Sequence, residues 1–329
     1  IRRRIRSPEL RFDLHKITTI GKTDIAIAYM NDLVNEKHLK WLKKRLQEIE
    51  HDGLTMADKS LEEWLFKQRF HPVPFVRYSE RPDIVAAHLL EGHIAIIVDT
   101  SPSVILLPIT MFHLLQHAEE YRQSPMVGST MRLLRYVAFV LSFTLMPIWY
   151  LLATNEQYLP EALDFIGTKE KHNIPLLLQI IIANLGLEYL RIAAIHTPTP
   201  LSTAMGLVAG VIIGQIAIDV GVLSPEVVLY SAVVAIFTFA IPTFELSLSI
   251  KYFSFTVLIL TALFDAAGFF IGFFITFSYF CSLKPMQIPY MWPLVPFFPQ
   301  AFKRVFIRYP MADDALRPYI TGAKQRKRV

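Results

Sequence analysis

Residues 136–280 are mostly long apolar runs, and that stretch limits the fold more than any other part of the chain. Crossing a hydrocarbon core takes about 20 consecutive apolar residues. Residues 136–154, 204–222 and 252–280 meet or approach that length. Residues 227–241, uncharged and bounded by Pro225 and Pro242, read as a fourth span. Upstream of Arg135 the sequence reads as a soluble α/β protein. The expected fold class is therefore an α+β membrane protein. It has a cytoplasmic α/β subdomain over 1–125 and a helical transmembrane domain over 126–282, with about four full spans plus a half-buried polar helix. A Pro-rich, then basic, cytoplasmic segment follows over 283–329.

The polar helix is residues 174–195. Its twelve Leu and Ile residues favour insertion by about 4 to 7 kcal/mol. Glu188 and Arg191 cost about 2.5 to 3.5 kcal/mol each near the bilayer centre, and Asn184 and Gln179 add to that. The balance is close to zero, so the segment needs protein or water on one side. At about 100° per residue, Asn184, Glu188 and Arg191 fall on one narrow stripe, which suits a water-lined path or a polar helix seam. Asp265, near the middle of the last apolar stretch beside Gly268 and Gly272, is a second ion-path candidate; the plainer reading is a hydrogen bond to a neighbouring helix. Gly206, Gly210 and Gly214 recur every fourth residue and offer a smooth face for helix packing. Pro198 and Pro200 break the chain after Arg191, with His196 and Thr197 in the break.

Arg122, Arg132 and Arg135 precede the first span, and Lys284, Lys303, Arg304 and Arg308 follow the last. The loop after the first span is net acidic, with Glu156, Glu161, Asp164 and Glu170 against Lys169 and Lys171. Positive-inside sorting then places both ends in the cytoplasm and requires an even number of crossings. The net charge of +5 is explained by this sorting. No Arg/Lys stripe is interleaved with exposed aromatics, so nucleic acid is not an expected partner.

In the front half, residues 10–30 alternate around a Gly-Lys-Thr turn and predict a hairpin. Leu39, Leu42, Leu46 and Ile49 predict a helix capped near Asn35, and ADKSLEEWLF a second. Then come a helix IVAAHLLEG ending at Gly92, strands HIAIIV and SVILLPI, and a helix over about 110–123. His113, His117 and Glu120 on that last helix have a spacing that can ligate a metal. The zinc-protease pattern, however, needs Glu where Leu114 stands, so no metal or cofactor is expected. The single cysteine, Cys281, excludes an intramolecular disulfide framework. No P-loop, GxSxG or HExxH occurs, and no enzymatic activity is expected.

Several phrases occur together in order: RPDIVAAHLLEGHIAIIVDTSP, EYLRIA with prolines seven and nine residues beyond its Arg, MGLVAGVIIGQIAIDVGVLSPEVV, IPYMWPLVPF and a late RYP…RP. With them the chain resembles the A-subunit family of spore germinant receptors, the GerA family. The resemblance implies a multi-pass protein of the spore inner membrane whose relatives form homo-oligomeric, pentameric channels that release monovalent cations during germination. It also implies that the front subdomain is the second half of a larger N-terminal region. The glycine-rich wording points to a branch that amplifies ion release with a small membrane partner. The alternatives are a nutrient receptor A subunit working beside B and C subunits, and a secondary transporter using Asp265. Membrane lipid and a second copy of the chain are expected partners. Two departures stand out. The family's Asp-Gly-Ser-Pro turn reads Asp99-Thr100-Ser101-Pro102. Its Leu-Arg-Glu-Ala reads Leu190-Arg191-Ile192-Ala193, which leaves Glu188 as the carboxylate near that Arg.

Overall fold

The computed structural model describes the chain except residues 69, 159–166, 168–173, 197–209, 212–213, 311–315 and 328–329. It divides into two compact units, one of Ile1–Leu134 with Ser278–Val329 and one of Arg135–Phe277. The tail over 283–329 thus belongs with the front residues in one unit.

The first unit is built on a five-stranded sheet of order β1-β2-β4-β5-β3: β1 (Leu10–Ile17), β2 (Thr23–Met30), β3 (Arg77–Ser79), β4 (Ile94–Val98) and β5 (Val104–Leu107). Every pairing is antiparallel, including the expected hairpin, which runs in register from Leu10↔Met30 to Ile17↔Thr23. The unit is therefore antiparallel α+β, where the sequence suggested α/β. Its helices follow strands without forming the crossovers that parallel neighbours require. The strand period of two sorts the core. Ile25, Ile27, Ile94, Ile96 and Val98 pack with Leu42 and Leu46 of α1 (Glu36–Gln47) and Leu61 and Leu65 of α2 (Ala57–Phe66). On the opposite face the smaller Ala28 and Ala95 meet Val85, Ala86 and Leu89 of α3 (Pro82–Leu90). Asn35 caps α1 by accepting the Lys37 N–H at 3.0 Å. Thr100 takes φ 66° at the turn after β4, a left-handed conformation that a glycine holds without strain.

The helix expected over 110–123 breaks. α4 (Met111–Leu115) ends where Gln116 and His117 turn extended, and a single 3₁₀ turn, Ala118–Tyr121, follows. His113 and His117 therefore do not share one helical face, and no group of three metal-ligating side chains is found among the described residues.

The second unit is helical. α5 (Pro125–Thr154), α6 (Leu176–His196) and a 39-residue helical run, Phe244–Ser282, are each long and apolar enough to cross a membrane. Pro225–Phe239 is a shorter apolar helix. A short helix, α7 (Gly214–Asp219), lies between α6 and that helix, which is α8; the long run is α9, and α10 (Pro299–Phe306) belongs to the first unit. Among the described residues three helices are thus candidate spans, one of them the polar helix of 174–195, where four full spans besides that helix were expected. Residues 204–209, with Gly206, and 212–213 of the expected span 204–222 fall outside the described residues, as do Thr197, Pro198, Pro200 and the side chain of His196. Gln179 meets Ser224, Asn184 meets Ser231 and Arg191 meets Phe239, so α6 and α8 run parallel. Their shared core contains Ile180, Val227, Val234, Leu258 and Trp149, whose ring stacks on Tyr230 at 4.6 Å.

α9 is not one straight span. Phe264 (φ −131°, ψ 17°) and Asp265 (φ 50°, ψ −134°) leave helical geometry, and the chain folds back on itself. Gly268 and Gly272 allow the two arms to touch. A Cβ on Gly268 would lie 1.9 Å from the Leu260 carbonyl oxygen, and one on Gly272 3.0 Å from the Val257 Cα. Asp265 therefore sits at the turn of a helical hairpin and is exposed, not midway along a single span. Periodicity alone could not reveal this, because both arms are equally apolar. Gly268→Val is expected to prevent the arms from closing and to remove most folded protein from detergent extracts. Gly186→Ala, where a Cβ meets nothing within 4 Å, should leave it intact or raise stability by about 0.5–1 kcal/mol; a thermal melt monitored by size exclusion reads both.

Candidate functional site

Glu188 and Arg191 lie on one face of α6, and the first arm of α9 brings Lys251 to meet them. The Lys251 ammonium is 2.8 Å from Glu188 Oε2 and also donates to the Asn184 carbonyl at 3.2 Å. Arg191 lies 3.8 Å from Glu188 Oε1, donates to Ser247 Oγ at 2.8 Å, and sits over the rings of Phe244 (4.6 Å) and Phe239 (5.4 Å). All three charged side chains are largely buried, at 12–14% exposure. Glu188 Oε1 and Arg191 Nη1 are buried without a hydrogen-bond partner, facing each other across that 3.8 Å. Asn184 Nδ2 donates to Ser231 Oγ at 3.3 Å, and Gln179 Oε1 accepts the Ser224 N–H at 2.8 Å, so each polar group of the stripe ties α6 to a neighbour.

One cation more than the carboxylate count leaves the cluster with a formal charge of +1. A lone carboxylate in such surroundings would carry a large desolvation cost; a direct ion pair with further hydrogen bonds offsets it. The remaining space beside it is small: a gap of about 10 Å³ among Ser142, Asn184, Thr238, Lys251 and Ser254, at the lower limit for one water.

The structure thus brings Asn184, Glu188 and Arg191 together as the helical stripe predicted. Asp265 stands apart from them; its Oδ1 accepts from Asn155 Nδ2 at 3.2 Å. Among the described residues nothing lies within 4 Å of a Cβ added at Gly210 or Gly214. Lys251 was missed, because it lies one residue before the stretch read as a span. Its signal was present: a lone cation in SLSIKYFSF, opposite in sign to the one carboxylate of α6.

A second polar group lies inside the first unit. The rings of His88, His93 and His113 approach with centroids 5.0, 5.4 and 6.5 Å apart, all buried. His88 Nδ1 contacts the Ile84 carbonyl at 2.9 Å and His113 Nδ1 the Thr110 hydroxyl at 2.9 Å. The His93 ring faces the Pro108 carbonyl but makes no hydrogen bond of good geometry. Burial, reinforced by the neighbouring imidazoles and the Arg77 guanidinium, holds His88 and His113 well below the usual histidine range. Burial likewise brings His93 down to about 4.

Apolar helices closing over an internally paired ionic cluster, joined to an antiparallel α+β unit, define a polytopic membrane protein. Sequence comparison narrows the class. The profile of the Bacillus/Clostridium GerA spore germination proteins matches residues 1–320, and the chain belongs to that family. It is 48% identical to stage V sporulation protein AF of Bacillus subtilis, over 100% of this chain and 66% of that protein. It is 32% identical to spore germination protein KA of the same organism, over 97% of this chain and 59% of that one. It thus spans two thirds or less of the length of these relatives. It is also similar to the crystal structure of the N-terminal domain of the A subunit of the Bacillus megaterium spore germinant receptor GerK3. That match has 38% identity, covers 32% of this chain and 84% of that one, and has a TM-score of 0.26.

Two outcomes follow from these sites. Lys251→Met should cost about 3–5 kcal/mol by stranding Glu188, and adding Glu188→Gln should recover part of that loss, measured as a double-mutant cycle of unfolding free energies in detergent. The histidines bind protons less readily folded than unfolded. Their stabilisation is therefore complete above about pH 6.5 and is lost as the pH falls toward 4. At pH 5 His93 alone should cost about 2 kcal/mol. Hydrogen exchange of the Ile94–Val98 amides should accelerate between pH 7 and 5 beyond its intrinsic pH dependence, and His93→Phe should flatten that change.

Proposed function

We propose that this chain is a subunit of a homo-oligomeric, pentameric channel in the spore inner membrane that releases monovalent cations during germination and so amplifies the germinant-receptor signal. The observation that supports this most directly is the sharing of one buried carboxylate, Glu188, between Lys251 and Arg191 inside the helical unit. A charged cluster at this depth is costly and is retained where ions or protons pass. The space beside it among the described residues is about 10 Å³, which favours a passage formed between copies or on opening. Opening separates Glu188 from Lys251, and an axial ring of the freed carboxylates then concentrates cations. The chain carries out passage, not catalysis.

Arginines before α5 and the basic residues after α9 favour a cytoplasmic position for the first unit. A small membrane protein or the germinant receptor subunits are the natural partners. The greater identity to stage V sporulation protein AF than to protein KA favours the amplifying role over that of a nutrient receptor A subunit. The exposed position of Asp265 at a hairpin turn weighs against a transporter with that residue as its central ion site.

In spores carrying Glu188→Gln at normal protein level, release of K⁺ after germinant addition is expected to slow several-fold, followed by flame photometry of the medium. Unchanged release would reject Glu188 as part of the ion path. A monodisperse monomer in mild detergent and in nanodiscs would reject the assembly.

A further inference from the structure

The loop after α2 turns one aromatic side chain fully outward. Lys67, in the left-handed conformation at φ 49°, ends the helix, and its N–H and that of Gln68 both return to the Glu63 carbonyl. The Gln68 side chain then closes the loop by donating to the Val73 carbonyl at 3.2 Å. Phe70 lies between these ties and is 100% exposed, whereas Val73, Phe75 and Val76 just beyond it are buried. The loop is thus tied and packed on both sides of a bare phenyl ring. One exposed apolar side chain is ordinary on a protein surface and means little by itself. What Phe70 stands beside gives it a meaning. The next residue, His71, meets the last turns of α9. Its Nδ1 lies 2.8 Å from the Tyr279 hydroxyl, and its ring packs against Phe75 at 5.4 Å and Tyr279 at 6.1 Å. Phe75 and Phe280 both pack on the ring of Tyr290, whose hydroxyl donates to the Pro74 carbonyl at 3.0 Å. Residues 71–75 and the end of α9 therefore form one packed corner of the first unit.

The second arm of α9, residues 266–282, is uncharged and about 25 Å long, against about 30 Å for a hydrocarbon core. Asp265 marks one end of it and Lys284 follows the other. Tyr279, in its last turn, stands where Tyr and Trp collect, between acyl chains and water. Phe70, one residue from the partner of Tyr279, stands at the same level. We propose that the loop of residues 67–71 is an interfacial anchor, with Phe70 inserted among lipid headgroups and upper acyl chains beside α9. Lys67 and His71, both exposed, flank the ring and face the headgroup phosphates. The occupant is bilayer lipid because the loop adjoins a helix that lipid surrounds: Phe270, Phe274 and Ile275 of the same arm are each more than half exposed. A loop already closed by its own hydrogen bonds loses little freedom on insertion. The inference needs only that α9 crosses the bilayer, and it is independent of what the chain conducts.

The test uses the full chain with Cys281→Ser, which removes the single native thiol, and one new thiol at a time from Phe70→Cys, Leu14→Cys or Phe274→Cys. All three positions are exposed, and equal melting temperatures confirm that the changes leave the fold intact. Each thiol carries the fluorophore NBD. Leu14, on β1 of the same unit, reports contact with water, and Phe274 reports contact with lipid. The labelled chains are placed in phosphatidylcholine nanodiscs. Quenching is read with aqueous iodide and with a lipid bearing a nitroxide near the top of its acyl chain. The expected result at position 70 is quenching by the nitroxide, with iodide quenching at least about threefold weaker than at position 14. Equal iodide quenching at 70 and 14 without a nitroxide effect at 70 overturns the anchor. Protection of position 70 from both quenchers also overturns it, because protein would then cover the ring. A label at 274 that the nitroxide quenches beside one at 70 that it does not rejects the anchor alone. If neither is quenched, the membrane placement of α9 fails and the anchor fails with it.

Discussion

A carboxylate can be kept among apolar helices only when a cation is brought to it, and in this chain Lys251 does so for Glu188 at 2.8 Å. The pair also sets the helix register. Lys251 reaches both the Glu188 carboxylate and the Asn184 carbonyl, while Arg191 reaches Ser247, so the first arm of α9 can lie along α6 in one alignment only. Sliding either helix by a turn would strand two or three charged groups in apolar surroundings, at several kcal/mol each. Apolar packing among Ile180, Val227 and Leu258 supplies contact area but no comparable discrimination between alignments.

Much of this was legible in advance. The stripe of Asn184, Glu188 and Arg191 followed from helical geometry, because a balance near zero for insertion demands a protected face. The β1–β2 hairpin and the capped α1 followed from alternation and from Asn35. What was not legible depended on tertiary partners. Lys251 looked like a residue flanking a span, because nothing local marks which end of an apolar run is covered by another helix. The antiparallel sheet was hidden for a similar reason. Helices lie between the strands in sequence, and only the register reveals that β4 pairs with both β2 and β5 in opposite directions.

The fold-back at Phe264–Asp265 changes the meaning of two features that were read together. Asp265 beside Gly268 and Gly272 suggested a polar site within a span. In the structure the glycines serve the close approach of the two arms, and Asp265 has the left-handed φ that ends the first arm. With ψ at −134° the residue lies outside the left-handed helical basin, in a region that glycine favours, so the fold-back itself sets its backbone. Here Asp265 accepts from Asn155, just beyond the end of α5. One backbone break accounts for the carboxylate and for the small residues that follow.

The +1 balance of the Glu188 cluster bears on how a passage built around it would behave. A bare ring of carboxylates would attract cations continuously and leak. With Lys251 on one oxygen and Arg191 at 3.8 Å from the other, the carboxylate is already neutralised at rest. A small shift of the first arm of α9 within the same helix register would open the Lys251–Glu188 contact and leave the carboxylate held only across the 3.8 Å to Arg191, free to face a passage. An element with two such arrangements is what a gate requires, and a ligand that favours one over the other by a few kcal/mol is enough to shift it. Arg191 is suited to the waiting role. Its guanidinium is already held by Ser247 and by two aromatic faces, so accepting Glu188 requires little further ordering.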